Sequence, residues 1–274
     1  MVGNISFNQI RLIAAKEFWD RIRNRWVLAV TLVFAVFALL IAYFGAAQQG
    51  AVGFRGIEVT IASLVSLVIY LVPLIALILG YDAVVGERER GSLDLLLSMP
   101  VTRLEVLLGK FFGLSAALSL STLAGFGSAG VVLAYQLNLE ALFHYFGFVL
   151  SAVLMGMAFL SMAVMVSVLA SDRARASGAA IALWFFYVLV FDLLLLGGLV
   201  VSGGGVSGDV FSYLLLLNPA DIFRILNIFS MEEVKTLYGL ATVFPEALAN
   251  PWLLGMLMVF WIVAPLGVAL WKFE

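Results

Sequence analysis

Residues 141–171 read A-L-F-H-Y-F-G-F-V-L-S-A-V-L-M-G-M-A-F-L-S-M-A-V-M-V-S-V-L-A-S and contain no Asp, Glu, Lys or Arg. A helix needs roughly 20 apolar residues to cross the hydrocarbon core of a bilayer, and this stretch is longer than that. Strands of a membrane barrel would alternate apolar and polar residues, which this stretch does not do. It therefore predicts a transmembrane α-helix.

Five other stretches of the chain have the same character. Residues 26–54, 59–81, 111–139 and 247–271 carry no charge, and residues 176–208 are interrupted only by Asp192. We therefore predict an all-α membrane protein whose residues 1–274 form a single transmembrane domain. The six expected spans lie near residues 26–47, 58–82, 107–135, 145–170, 177–201 and 251–271.

The composition also restricts the class of function. Hydrophobic residues make up 64% of the chain and charged residues 12%, against about 45–50% and about 25% in soluble domains. The absence of cysteine excludes disulfides, cysteine nucleophiles and thiolate metal sites, and one histidine, His144, forms no cluster. The net charge of −2 gives no general attraction for nucleic acid. We expect neither a nucleic-acid partner nor a metal bound by this chain.

The distribution of basic residues predicts the orientation. With the N-terminus inside, twelve of the 15 Lys and Arg residues fall in inner segments. Inner segments of membrane proteins carry such an excess, so both termini should be cytoplasmic. Because the residues before the first span are mostly polar or amphipathic, we do not expect a cleavable signal peptide.

Residues 1–25 predict an amphipathic helix before the first span. Ser6 and Gln9 have the spacing of a capping box, so this helix should begin near Phe7. Such a helix should lie along the inner membrane face. Two interpretations remain open: an anchor that binds anionic membrane lipids, or an elbow helix that also touches a cytoplasmic partner. The expected apolar stripe consists of Phe7, Ile10, Ala14, Phe18 and Ile22.

The inner loop 81–110 predicts a separate short helix. Ser92 can cap a helix that Pro100 prevents from continuing. Thr102 and Glu105 then form a capping box that begins the helix of the third span. The result should be a short charged helix at the cytoplasmic surface between two spans.

The apolar side of this short helix, near residues 93–99, suggests a docking function. Leu93, Leu96 and Leu97 share one side and would enter a groove of a partner protein. The alternative is an ordinary solvated loop. The charged residues around the helix are Glu87, Arg88, Glu89, Arg90 and Asp94.

The same loop resembles that of a known family. Its pattern Gly86-Glu87-x₃-Gly91-x-Leu93-x₂-Leu96-Leu97-x₂-Pro100-x₂-Arg103-x₅-Gly109-Lys110 is similar to the inner loop of ABC-2-type permeases. Within that family, the chain looks like the permease of the ABC transporter that matures nitrous oxide reductase in denitrification. The matching stretches elsewhere are residues 23–26, 60–64, 73–77, 189–193 and 215–222.

The resemblance implies an assembly and a set of coupling residues. It implies an exporter-type fold in the bacterial inner membrane, a homodimer, a dimer of cytoplasmic ATPase subunits and a periplasmic β-helix protein, with nitrous oxide reductase as an indirect partner. In related exporters, spans two and five face the dimer axis. The residues expected to contact the ATPase are Glu87, Arg88, Gly91, Leu93, Asp94, Leu96, Leu97 and Pro100.

The chain is not expected to hydrolyse ATP itself. A phosphate-binding loop needs G-x-x-x-x-G-K-[ST], and its lysine reaches the phosphates. The nearest match, from Gly86 through Gly91 to Ser92, lacks that lysine and follows no predicted strand. ATP and magnesium should therefore be bound by the partner subunit, and we expect no catalytic residue and no cofactor on this chain.

Small residues recur every fourth position along span three. Such a stripe lets a neighbouring helix approach closely, so we assign it to packing. The stripe consists of Gly109, Gly113, Ala117, Ser121 and Gly125.

Polar residues within two spans are candidates for a pathway. Asp192 lies about 21 Å along its helix from Gly178, in the outer part of the bilayer. It is either a charged element of a pathway or a structural anchor, and Arg224 is its possible partner. In span two, hydroxyl groups either line a polar route or bond locally; these residues are Thr60, Ser63, Ser66 and Tyr70.

The methionines of spans four and six invite a copper(I) interpretation. Methionine is more often a flexible packing residue, and the spacing does not bring three sulfurs to one helix face. We expect any copper to be bound by another subunit. The residues concerned are Met155, Met157, Met162, Met165, Met256 and Met258.

The outer segment 202–250 is long for a simple connector. Asn218 can cap a helix that starts at Pro219 and ends near Ile228, residues 232–240 are a second helix candidate, and residues 250–251 should start span six in the same way. Apolar helices here suggest a platform on the membrane surface or a docking face for an external partner.

Three functions remain open from the sequence. The first is a permease that passes a sulfur species or copper outward. The second is a mechanical transmission subunit that reshapes a periplasmic partner while nothing crosses. The third is an ABC-2 exporter of lipids or drugs.

Overall fold

The computed structural model describes residues 6–44, 57–134, 139–201, 208–228, 248 and 250–273. These ranges are helical and contain no strand. A five-residue π-helix, Phe186–Val190, lies between α8 and α9. The α-helices are α1 (Phe7–Arg23), α2 (Trp26–Phe44), α3 (Ile57–Gly80), α4 (Val85–Glu89), α5 (Ser92–Leu97), α6 (Arg103–Ala134), α7 (Leu139–Leu169), α8 (Arg173–Phe185), α9 (Phe191–Val201), α10 (Gly208–Leu215), α11 (Pro219–Ile228) and α12 (Pro251–Phe273).

Six helical segments are long and apolar enough to cross a membrane, which confirms the predicted architecture. Spans one to four are α2, α3, α6 and α7. Span five consists of α8, the π-helix and α9, and span six is α12. Helix α7 lies at the centre, because it packs against α3, α6, α8, α11 and α12.

The small residues of α6 allow α1 and α2 to pack closely against it. A Cβ added at Gly109 would lie 2.6 Å from Cβ of Ile13, and one at Gly125 would lie 2.5 Å from Cβ of Phe34. Ser121 also donates a hydrogen bond of 3.3 Å to the carbonyl of Val27. The predicted packing role of this stripe is confirmed, and its partners are α1 and α2, the first two helices of the chain.

Helix α1 begins at Phe7 as predicted, but its N-terminus is satisfied differently. The Ser6 side chain makes no capping bond. Instead, the backbone N–H of Ser6 donates to Oε1 of Glu105 at 2.6 Å. The predicted Ser6–Gln9 box is therefore wrong, because a carboxylate from α6 takes the role expected of Gln9.

The buried face of α1 also differs from the predicted stripe. Ile10, Ile13 and Glu17 are buried, whereas Phe7 is exposed. This face lies over the glycines at the start of α6, which allow the closest approach between the two helices. Glu17 is included because it finds an opposite charge there.

Of the two capping predictions for the inner loop, one is confirmed and the other is wrong. Thr102 and Glu105 form the predicted capping box, with bonds of 2.6 Å from Thr102 N to Glu105 Oε2 and 3.2 Å from Glu105 N to Thr102 Oγ1. Ser92 does not cap α5, because Gly91 occupies the cap position. The Ser92 hydroxyl donates instead to the carbonyl of Glu87 at 3.3 Å.

The outer segment contains one helix that is almost wholly inside the bundle. Asn218 caps α11 as predicted, since its Oδ1 accepts from the N–H of Ala220 at 3.0 Å, and Asn250 likewise accepts from Trp252 at 2.9 Å. Most residues of α11 are buried, against α3, α7 and α12. This helix is therefore not an exposed docking face. The other predicted helix, at residues 232–240, lies outside the described residues.

Candidate functional site

The loop between spans two and three forms two short helices that meet at Gly91. This glycine has a φ of +70°, a left-handed conformation that is strained for other residues. A Cβ at Gly91 would meet no atom within 4 Å. The backbone angle, rather than a lack of space, thus favours glycine between α4 and α5.

The two sides of α5 differ in what they contact. Leu93 is 4% exposed and lies in the protein's own core, against which Leu96 and Leu97 also pack. Leu95 and Met99 point away and are 68% and 56% exposed. The expectation that Leu93 enters a partner's groove is therefore wrong. Residues three and four apart share one side of a helix, and here that side covers the bundle.

The exposed side of α5 retains the features of a docking surface. Asp94 and Pro100 are exposed near Leu95 and Met99. Two large apolar side chains next to a carboxylate give this side a mixed character that suits a protein partner. We call Asp94, Leu95, Met99 and Pro100 the loop tip. Contact of Asp94 and Pro100 with an ATPase stays a prediction, whereas Leu95 and Met99 were not among the residues expected to make it.

Lys110 lies buried between two carboxylates from other segments. Its ammonium group is 2.7 Å from Oε1 of Glu87 in α4 and 2.9 Å from Oε1 of Glu17 in α1, and the residue is 1% exposed. A buried charge that loses its partner is strongly destabilising. These three residues, which we call the inner ion cluster, therefore hold the loop, α1 and α6 together.

Glu17 is ionised in this cluster. Burial by itself favours the neutral acid, but Lys110, with smaller contributions from Lys16 and Arg21, outweighs it, so the pKa of Glu17 lies below its ordinary value of 4.5. Lys16 approaches the same carboxylate at 3.4 Å and that of Glu87 at 3.7 Å from a largely exposed position. Lys16 is thus a peripheral member, whereas Lys110 is the central one.

Arg88, another predicted coupling residue, fastens the loop to the end of α7. Its guanidinium donates to the carbonyls of Ala170 at 3.0 Å and Val168 at 3.2 Å. The last carbonyls of a helix lack intrahelical partners and carry partial negative charge, so a cation is favoured there. Arg88 is thereby a side-chain cap of span four.

Ser167 makes a second attachment to the same part of the loop. Its hydroxyl oxygen accepts from the N–H groups of Val84 and Val85 at 2.9 and 3.0 Å. All three residues are buried. The bonds satisfy two backbone donors that begin α4 and fix this end of the loop to α7.

A third attachment joins the loop to the start of span five. Nε of Arg173 lies 2.6 Å from Oδ1 of Asp82, and the backbone N–H of Arg173 donates to Oε1 of Glu89 at 2.7 Å. A Cβ on Gly86 would overlap the Asp82 carboxylate, so glycine is needed for this close approach. The loop is therefore attached to α1, α6, α7 and α8.

Away from the loop, the predicted polar residues of span two lie towards the exposed side of α3. Ser66 and Tyr70 are exposed and Ser63 is half-buried, while the Thr60 side chain lies outside the described part. Nε1 of Trp184 in α8 donates to the carbonyl of Tyr70 at 2.9 Å. This side of α3 therefore adjoins span five, and its role as a polar route stays a prediction.

Asp192 pairs with Arg224, as the structural interpretation anticipated. Nη2 of Arg224 lies 3.0 Å from Oδ2 of Asp192, and Nη1 bonds to Asp221, whose side chain is 1% exposed. Asn218 donates to Oδ2 of Asp221 at 2.9 Å and to the carbonyl of Tyr187 at 2.8 Å. The sequence suggested the first of these contacts but not the shared arginine. A pathway role for Asp192 stays a prediction.

The methionines of span four are packing residues in this fold. Met155 and Met162 lie in the main hydrophobic core, and Met157 and Met165 pack against it. In the parts of the chain that are described, no three His, Cys, Asp or Glu side chains are grouped so that they could hold a metal. The fold thus gives these thioethers the role of filling irregular core space.

Sequence reasoning missed the inner ion cluster. Glu17 and Lys110 are 93 positions apart, so no local pattern connects them. One signal was present: Glu17 continues the spacing of Ile10 and Ile13 along α1. A carboxylate on an apolar stripe indicates a buried partner of opposite charge.

Comparisons with known proteins agree with this architecture. A family model described as "ABC-2 family transporter protein" matches residues 11–274. A relative from Pseudomonas aeruginosa, named "Probable ABC transporter permease protein NosY", is 46% identical over 263 residues, which cover 94% of each chain. One of the same name from Stutzerimonas stutzeri is 44% identical over 266 residues, 96% of each chain. The chain therefore belongs to the ABC-2 family of ABC transporter permeases.

Proposed function

We propose that this chain is the permease of an ATP-driven transporter that matures the copper–sulfide site of nitrous oxide reductase. Support comes from its similarity, along nearly the whole chain, to two permeases named NosY. A sulfur species is the favoured cargo and copper the alternative. ATP and magnesium bind to a separate cytoplasmic ATPase subunit, and a periplasmic β-helix protein receives the cargo outside.

The observation that supports coupling to an ATPase is the way the inner loop is held. The loop is fixed by Lys110 on one side and by Arg88 and Arg173 on the other, while its tip presents Leu95 and Met99. A rigid element with an exposed apolar end suits the transfer of motion from a partner into the spans. We therefore assign ATPase binding to the loop tip.

The proposed orientation rests on elements that share one end of the bundle. Arg103, at the start of α6, donates to the carbonyl of Phe273, at the end of α12, at 2.7 Å, and Glu105 accepts from Ser6. The start of α1, the loop and the end of α12 therefore lie together. Because most basic residues also belong to this end, we place it in the cytoplasm of a bacterial cell, with the chain in the inner membrane.

The exposure of charge near the outer end of span five supports a homodimer. Asp192 and Arg224 are 37% and 35% exposed in the single chain, on the side where Tyr70 is also exposed. Charged side chains facing lipid are costly. A second copy of the chain, or the lumen between two copies, removes this cost. A purified complex whose mass contains one copy of this chain would contradict the dimer.

The maturation role is tested in a strain that lacks this chain. We expect the strain to make nitrous oxide reductase without its copper–sulfide site, and the intact gene to restore it. A fully active reductase in the deletion strain would overturn the proposal and favour an exporter of lipids or drugs.

The cargo is tested with the purified complex in sealed vesicles. We expect ATP-dependent uptake of labelled sulfide, and Leu95→Asp should abolish the uptake as an uncoupled control. Uptake of labelled copper without uptake of sulfide would show that copper is the cargo instead. If neither label crosses while ATP is hydrolysed and the same complex supports maturation in cells, the subunit acts as a mechanical transmission.

A further inference from the structure

Span five changes character at its π-helix. The Tyr187 ring packs edge-on against Phe159 of α7 and Trp261 of α12, with ring centroids 5.9 and 5.8 Å away, and Val188 is buried. Beyond this point, every residue of α9 is at least partly exposed. Before the π-helix, α8 packs on α3, α4 and α7 through a side that includes the buried residues Ala176 and Ala180, although its other side is exposed. The change from a segment packed on other helices to one with few such contacts therefore coincides with the π-helix.

The π-helix is a point at which span five can bend. The part of the span on its α8 side is held in place. Its widened turn interrupts the regular α-helical hydrogen bonds, and helices bend sharply at such turns. The carbonyl of Tyr187 accepts from Asn218, and Asn218 is itself held by its bond to Ala220 at the start of α11. Motion of α9 would therefore leave the packed part of the span in place.

Asp192, in the first turn of α9, ties this segment to α11 through Arg224. Arg224 is shared with Asp221, which is almost completely buried. If Asp192 moved away, Arg224 would keep Asp221 as its charge partner. Asp192 is about one-third exposed, and in the lumen between two copies of the proposed dimer its carboxylate would face water rather than lipid when the contact opens. The arrangement thus permits this contact to open without leaving a buried charge alone.

We propose that α9 is a movable outer segment that pivots at Phe186–Val190 and is held in place by the Asp192–Arg224 latch. Asp221 keeps the arginine in position while the latch is open. The proposal goes beyond the proposed function, because it concerns the motion of one helix whatever the cargo is.

Spin labels can measure this motion, because the chain has no native cysteine. Val200→Cys on α9 and Trp252→Cys on α12 are exposed positions. Their distance would be measured by pulsed electron resonance in the full-length protein in nanodiscs, diluted with unlabelled copies and without ATP. α9 has 11 residues, so it is about 16 Å long, and a tilt of about 20° moves its far end by about 5 Å.

With the latch intact we expect one narrow distance distribution. Asp192→Leu should shift or broaden it by about 5 Å, because the link to Arg224 is lost. Asp192→Asn keeps a hydrogen-bond acceptor and should move the label less. If Asp192→Leu cannot be recovered in folded form, the distance distribution of Asp192→Asn is compared with that of the protein that keeps Asp192.

A label below the pivot provides the matched control. The distance from Ile181→Cys on α8 to Trp252→Cys should be the same with and without the latch substitution. Unchanged distributions at Val200 in the latch variants would overturn the proposal. An equal change at Ile181 would also overturn it, since the whole span would then move. Because neither ATP nor the ATPase is present, either failure leaves the proposed transport function untouched.

Discussion

The ammonium group of Lys110 and the carboxylate of Glu87 form a buried salt bridge of 2.7 Å that joins span three to the inner loop. Glu17 binds the same ammonium group from α1. The loop therefore cannot leave α1 or α6 without opening one of these contacts. A displacement of the loop by a partner protein would be delivered to both helices together.

The first prediction concerns removal of the central charge of the inner ion cluster. Lys110→Met leaves two carboxylates buried near each other, so it should destabilise the fold by about 3–5 kcal/mol. The apparent Tm in detergent should fall by roughly 10 °C. Lys16→Met is the control, and it should change stability by less than about 1 kcal/mol, because Lys16 is largely exposed.

Replacement of the whole cluster gives the complementary test. The triple variant Glu17→Leu, Glu87→Leu and Lys110→Met buries no charge at this point, so it should recover much of the stability lost in Lys110→Met. Equal Tm values for Lys110→Met and Lys16→Met would show that the buried salt bridges do not hold these segments together.

The second prediction separates the two sides of α5. Leu95→Asp should leave the yield of folded protein unchanged, because Leu95 is exposed, yet weaken ATPase binding at least tenfold. Leu93→Asp, the matched variant on the buried side, should reduce the yield, because it places a carboxylate in the core. Both are measured by copurification of the ATPase and by size-exclusion profiles. Normal ATPase binding by Leu95→Asp would show that the loop tip is not part of the ATPase interface.

The third prediction concerns acid stability. The pKa of Glu17 is below its ordinary value of 4.5 in the folded protein, so the unfolded state takes up a proton first as pH falls. The contribution of Glu17 is therefore fully present well above pH 4.5 and is lost as pH falls through the lowered pKa. Glu17→Gln should be less stable than the parent protein at pH 7, and the difference should narrow towards pH 4. Thermal unfolding across this pH range measures it, and a constant difference would contradict the assignment.

The fourth prediction uses two glycines of the same helix. A Cβ on Gly113 would lie 2.5 Å from the carbonyl oxygen of Ala14, whereas one on Gly127 would meet nothing within 4 Å. Gly113→Ala should therefore displace α1 and cost about 1–3 kcal/mol. Gly127→Ala should gain up to about 1 kcal/mol, because alanine favours the helix. Similar Tm changes for both variants would show that α1 does not need the close approach.

The sequence predicted those features of the fold that depend on composition or on neighbours in the chain. The six spans follow from long charge-free stretches. The capping box of Thr102 with Glu105 and the cap of α11 by Asn218 need partners only two or three residues away. Such local hydrogen bonds form in the same way in most tertiary contexts.

Most of the features that were missed depend on distant segments, although the Ser92 cap failed locally because Gly91 occupies the cap position. Glu105 also accepts from Ser6, 99 positions away, so the Ser6–Gln9 box was replaced by a contact that no local spacing shows. The apolar side of α5 was visible in the sequence, but whether it covers the bundle or a partner is decided by the position of Leu93 beside the other helices. Family resemblance identified the loop without identifying its outward side.

The stacking of Phe34 on Phe126, with ring centroids 4.9 Å apart, has a consequence for biogenesis. About 90 residues separate the two rings, and a ribosome adds about 5–20 residues per second. After its synthesis, the buried face of span one therefore lacks its packing partner on span three for roughly 5–20 s, although span two is made in between. During this interval the nascent chain must keep Phe34 in lipid or against the insertion machinery, so the arrival of span three is the event that assembles the first half of the protein.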